Sequence, residues 1–154
     1  MGDRDGPEDA WSAFAVAVFH INGLINRAGE GISRPLGQSA ARWHVLGRAF
    51  QPQTVAQMAT EMGHARQSVQ RVADVLEGEG LIAYRPHPSD RRTKLVELTP
   101  RGHEVLGQIY QRQMAWFGEI APRLSESTLH ELTASLNEVS EVVASSIGDE
   151  GQTP

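Results

Sequence analysis

Cysteine is absent from this chain of 154 residues. Disulfides, thiolate catalysis, thiol redox sensing and cysteine-ligated zinc are thereby excluded. No apolar run approaches the roughly 18 residues of a membrane span. The opening MGDRDGPEDA has neither the basic nor the apolar region of a signal peptide. Gly6 stands where a myristoylation motif wants Ser or Thr. The expectation is a cytoplasmic protein with no membrane partner. Catalytic signatures are missing too: there is no Gly-rich phosphate loop, no HExxH helix and no Ser-His-Asp order with supporting motifs. No pair of histidines stands at i, i+4; His44, His103 and Glu104 do not make a metal-binding pattern. An enzyme is not expected, and neither is a cofactor or a metal.

What remains has the composition of one globular domain, with 40% hydrophobic and 21% charged residues. The formal net charge of −5 argues mildly against nucleic acid as a partner. The average hides a local reversal. Between Gly63 and His103 seven basic side chains (Arg66, Arg71, Arg85, Arg91, Arg92, Lys94 and Arg101) face five acids, so that window is net positive. Because salt screens exposed charges beyond about 8 Å, a basic surface can meet DNA while acidic ones lie elsewhere.

Periodicity supplies the elements. Trp11, Phe14, Val18, Ile21 and Ile25 recur at helical spacing, which predicts a helix from Glu8 to about Ala28, stopped by Gly29 and Gly31. A second helix is expected from Ser39 to Phe50, anchored by Trp43, Leu46 and Phe50. Thr54 with Gln57 is a capping-box pattern that opens a third, and Gly63 closes it. A fourth follows after about two residues, with Val69, Val72, Ala73 and Leu76 as its inner stripe. LIAYRP and TKLVELT have strand composition and are separated by HPSDRR, a hairpin with a charged tip. Thr99 and Pro100 start a long helix that Pro122 breaks. Ser125 starts a last one, whose seam is Leu129, Leu132, Leu136, Val139, Val143 and Ile147.

Two short helices joined at a Gly turn and followed by a hairpin make a winged helix-turn-helix. The second helix must bury one face and offer the other to a major groove. Arg66, Gln67, Ser68, Gln70 and Arg71 lie on that outer, N-terminal face and are of the kinds that read base edges or hold phosphates. At the hairpin tip Arg91 or Arg92 can reach a minor groove, while Asp90 accepts hydrogen bonds that aim the turn.

SDRRTKLVELTPRG resembles the wing signature of the MarR family (multiple antibiotic resistance regulators), through Asp90, Arg92, Leu95 or Val96, Leu98, Thr99 and Gly102. SVQRVADVLEGEGLI resembles that family's recognition helix and its Glu-x-Gly-Leu-Ile ending, and the likeness runs from about residue 39 to 105. Ala65 departs from it, standing where Ser or Thr normally caps the recognition helix. The resemblance implies a mainly α fold in a single domain over residues 1–154. A winged helix-turn-helix with a small β-hairpin wing would occupy about 39–99, and dimerisation helices about 8–30 and 100–147. It implies a homodimer on a pseudo-palindromic double-stranded DNA operator, most often as a repressor. It also implies a small aromatic effector held by residues such as His20, Leu24, Trp43 and Phe117, although core or dimer packing is the favoured reading of Trp43 and Phe117, and a satisfied core or interface histidine that of His20. Cysteine-based peroxide sensing, known in the family, is excluded here. The alternative is a winged-helix protein–protein interaction module without DNA binding.

Overall fold

The computed structural model describes residues 6–148. Six helices and one hairpin follow in the order α1 (Pro7–Ser33), α2 (Ala40–Arg48), α3 (Val55–Met62), α4 (Arg66–Gly78), β1 (Ile82–Pro86), β2 (Lys94–Leu98), α5 (Pro100–Ile120) and α6 (Glu126–Gly148). Among the described residues this is a mainly α chain with a single two-stranded antiparallel sheet. It divides into two units, one reaching to Gln113 and the other starting at Met114, so the break falls within α5.

The buried side chains of the first unit gather around the helix-turn-helix and its wing. Val45 and Leu46 of α2, Met58 of α3, Val69 and Leu76 of α4, and Leu81, Ile82 and Val96 around the hairpin are almost completely enclosed, with Ile109 of α5. A side-chain cap starts four of the six helices. Ser39 Oγ accepts the Arg42 N–H at 3.2 Å at the head of α2. Thr54 and Gln57 close a reciprocal capping box on α3. Thr99 Oγ1 accepts the Gly102 N–H at 3.0 Å ahead of Pro100, and Ser125 Oγ accepts the Thr128 N–H at the head of α6. Such caps contribute about 1 kcal/mol each.

Two expectations are corrected. The first helix does not stop at Gly29 and Gly31 but continues to Ser33, followed by a 3-10 turn over Arg34–Leu36. A glycine costs only about 1 kcal/mol inside a helix. Gly29 has a packing role, since a Cβ there would lie 3.3 Å from Ala40 Cβ and 3.5 Å from the Trp43 ring. The chain turns instead after Pro35, at Gly37 in the left-handed region (φ 71°). The second correction concerns Phe50. It is exposed and meets the His103 ring edge-on, while Ala49 is the buried residue and its carbonyl accepts the Leu98 N–H at 3.2 Å.

The hairpin pairs Ile82 with Leu98, Tyr84 with Val96 and Pro86 with Lys94. This register turns Ile82, Val96 and Leu98 to the core, and leaves Arg85 to pair with Glu97 on the other face. A contact that periodicity did not show adds a third rung: Gln53, just before α3, exchanges both backbone hydrogen bonds with Val96 (3.2 and 2.8 Å). β2 is thereby held on both sides, which ties the wing to the start of the helix-turn-helix.

Candidate nucleic-acid interface

α3 ends at Gly63 in the left-handed conformation (φ 63°), and the His64 N–H reaches back to the Ala59 carbonyl at 3.0 Å. That reversal needs φ > 0, which glycine adopts without strain. It lets α4 begin at Arg66, with only two residues between. α4 buries Val69, Ala73 and Leu76, with Val72 half-buried, against α2 and α3. Its orientation is thus set by the lobe's core, and its opposite face is free. Ala65 supplies no side-chain cap, so the first-turn N–H groups lack that partner.

The candidate residues on this helix separate into two kinds. Arg66, Gln67, Ser68 and Arg71 are exposed. Gln70 is half-buried and engaged: its Nε2 donates to Asp74 Oδ1 at 2.8 Å and to the Tyr84 hydroxyl at 2.7 Å. Tyr84 in turn donates to Asp74 Oδ1 at 2.7 Å. The hydrogen bonds from Tyr84 and then Gln70 hold the Asp74 carboxyl below its ordinary range, and burial with the Asp74 bond raises the Tyr84 phenol. Tyr84, on β1, was not among the residues picked out from the sequence. Its spacing from Gln70 carries no local signal, and only the fold brings the two together.

At the wing tip Asp90 binds its own turn. Oδ1 accepts the Arg92 N–H at 2.9 Å and Oδ2 accepts the Thr93 hydroxyl at 2.6 Å. Those bonds, Thr93 first, depress its pKa. Asp90 is therefore an ionised brace for the turn, as its place in a Ser-Asp-Arg-Arg turn suggested. Ionic partners elsewhere are consumed: Arg42 pairs with Glu79, Arg48 with Glu61 and Arg85 with Glu97. Among the described residues, Arg66, Arg71, Arg91 and Arg92 make no ion pair and no side-chain hydrogen bond. All four are exposed, on the outer face of α4 and on the wing tip. Lys94 lies over the Tyr84 ring at 5.7 Å.

A family model described as MarR family matches residues 44–93, the span from α2 to the wing tip. The protein Rv2011c of Mycobacterium tuberculosis, whose role is not named, is 36% identical over 123 residues, covering 77% of this chain and 84% of that protein. The chain belongs to the MarR family. MarR proteins are DNA-binding transcriptional regulators and not a class of enzymes. Solved MarR structures share the fold. A cysteine-to-serine variant of MarR from E. coli, complexed with operator DNA, superposes with a TM-score of 0.75 at 22% identity, over 88% of this chain and 99% of that one. CouR from Rhodococcus jostii, bound to p-coumaroyl-CoA, superposes with a TM-score of 0.74 at 22% identity, over 82% of this chain and 90% of that one.

The residues that the MarR resemblance suggested for an effector are placed as follows. His20 and Leu24 are exposed, one turn apart on α1. Trp43 is half-buried on α2, with its ring on Gly29. Phe117 is exposed on the second-unit part of α5, beside Trp116 at 5.3 Å between ring centroids. The MarR wing motif also acquires a physical reason for its glycine: a Cβ on Gly102 would lie 1.9 Å from the Leu81 carbonyl oxygen. No described helix is long and apolar enough to cross a membrane.

Proposed function

We propose that the chain acts as a homodimeric repressor on a pseudo-palindromic duplex and is released by a small aromatic effector. The observation that carries the DNA-contacting part is the pattern of pairing between α2 and β2: Arg42, Arg48 and Arg85 have carboxylate partners, whereas Arg66, Arg71, Arg91 and Arg92 do not. Unpaired guanidinium groups on one helix face and one hairpin tip suit phosphates and base edges. In this reading Arg66, Gln67, Ser68, Gln70 and Arg71 meet the major groove. Arg91 or Arg92 enters the flanking minor groove, and Asp90 contributes by holding the turn. Two copies place two such surfaces on successive grooves.

The effector part rests on family likeness and on CouR, a protein of this fold with an aromatic acyl-CoA bound. His20, Leu24, Trp43 and Phe117 are the residues proposed to contact it. Release requires that the effector favour a dimer with wrongly spaced recognition helices.

Fluorescence anisotropy with a duplex selected from a random pool tests the reading. Arg91→Ala or Arg92→Ala should weaken binding by about 1–3 kcal/mol at one of the two positions. Affinity should fall steeply with salt, because each phosphate contact releases counterions. Binding that is indifferent to both substitutions removes the wing from the interface. A protein that selects no duplex removes the DNA reading for this chain. A panel of aromatic acids and their CoA thioesters, added at saturation, should include a compound that lowers operator affinity.

A further inference from the structure

We propose that Asp74 and Tyr84 preset the side-chain amide of Gln70, so that Gln70 reads an exocyclic amino group through its oxygen alone. The inference rests on the DNA-binding reading above and specifies one position within it.

The three side chains close a triangle whose polarity follows from chemistry. A carboxylate can only accept. Asp74 is held ionised by its two donors, so the Gln70 atom 2.8 Å from Asp74 Oδ1 must be the amide nitrogen. The Tyr84 hydroxyl lies 2.7 Å from the same oxygen and has one proton, which goes to Asp74. Its lone pair is then left for Gln70 Nε2, at 2.7 Å. The amide nitrogen of Gln70 is thus turned to Asp74 and Tyr84. Gln70 Oε1 accepts no hydrogen bond from any described residue and is not among the buried unpartnered atoms, so it is the one vacant polar corner of the side chain.

That corner matters for recognition. A glutamine with a free amide grips adenine by two bonds, donating to N7 and accepting from N6. With its nitrogen held by Asp74 and Tyr84, Gln70 offers the base its oxygen. The bases that offer an amino group in the major groove are adenine, at N6, and cytosine, at N4. Guanine and thymine present acceptors there and leave the oxygen unsatisfied. The network therefore converts an adenine reader into a reader of adenine or cytosine. Because Tyr84 belongs to β1, the wing takes part in base choice without touching that base.

The test is selection from a pool of duplexes randomised through the binding region, with wild type, Gln70→Ala, Asp74→Ala, Tyr84→Phe and the last two combined. Asp74 is exposed, and phenylalanine keeps the Tyr84 ring, so the core of the lobe is undisturbed. The wild type should accept A and C at one symmetry-related position and discriminate against G and T by at least about fivefold, a typical single-base penalty. Gln70→Ala should erase that preference alone. The combined variant should favour A over C by at least about fivefold, as two bonds become possible, with the salt slope unchanged. A purely structural role would lower affinity for all sequences alike. The proposal is overturned if Gln70→Ala selects the wild-type profile, if the wild type already demands adenine, or if the combined variant keeps A and C equal. A wild type that selects no sequence defeats the DNA reading first and this proposal with it.

Discussion

Gly102 shows how one missing side chain shapes the lobe. It stands in the first turn of α5, where Thr99 caps the helix and also donates its hydroxyl to the Gly80 carbonyl at 2.7 Å. The Thr99 N–H meets the Leu81 carbonyl at 3.1 Å, and that same carbonyl oxygen lies where a Cβ on residue 102 would have to go. The obstruction is backbone, which cannot rotate aside. Gly102→Ala should therefore destabilise the protein by about 1–3 kcal/mol or more, as overpacking does, measured by urea unfolding. Gly29→Ala is the contrasting case. Its new methyl would meet side-chain atoms at 3.3 and 3.5 Å, and the gain in helix propensity, about 1 kcal/mol, offsets the crowding. A Gly102→Ala protein as stable as Gly29→Ala would show that the start of α5 does not approach Leu81 this closely.

The wing tip depends on a carboxylate, which makes its order sensitive to acid. Asp90 has an ordinary pKa of 3.8, lowered in the folded chain by Thr93 and the Arg92 N–H. A depressed carboxylate contributes order that is fully present above 3.8 and lost as pH falls through the folded value. Amide hydrogen exchange at Arg92 and Thr93 should quicken relative to β1 and β2 in that acid range. Asp90→Ala should show the quickened exchange at neutral pH. If Asp90→Ala leaves the tip amides as protected as the wild type, the turn is held by its backbone alone. Much of this element was legible beforehand, as were the capping box at Thr54 and the turn at Gly63, because each is settled within a few residues of chain. The extension of α1 to Ser33, the burial of Ala49 in place of Phe50, the Gln53–Val96 rung and the Gln70–Asp74–Tyr84 triangle were not. Each depends on partners distant in sequence, and periodicity reports a face without saying what covers it.

Apolar side chains left uncovered on the two units bear on assembly. On α1, Trp11, Phe19, Ile21 and Ile25 are exposed, and on α6 so are Leu129, Leu132, Leu136, Val143 and Ile147. No described residue of α6 is buried. A 23-residue helix with a continuous apolar seam has little reason to stay folded in water unless that seam is covered. A second copy of the chain is the occupant that the family resemblance implies. Leu132→Glu with Leu136→Glu would bring two like charges into such an interface. The variant should sediment as a monomer where the wild type sediments as a dimer. Losing the tie between two half-sites should reduce operator affinity by at least about a hundredfold, the usual scale of avidity. Since α6 lies outside the unit that carries the helix-turn-helix, binding to a single half-site should be unchanged. A variant that is monomeric yet holds the full operator as tightly as wild type would mean that one copy suffices, and the pseudo-palindromic site would lose its physical reason.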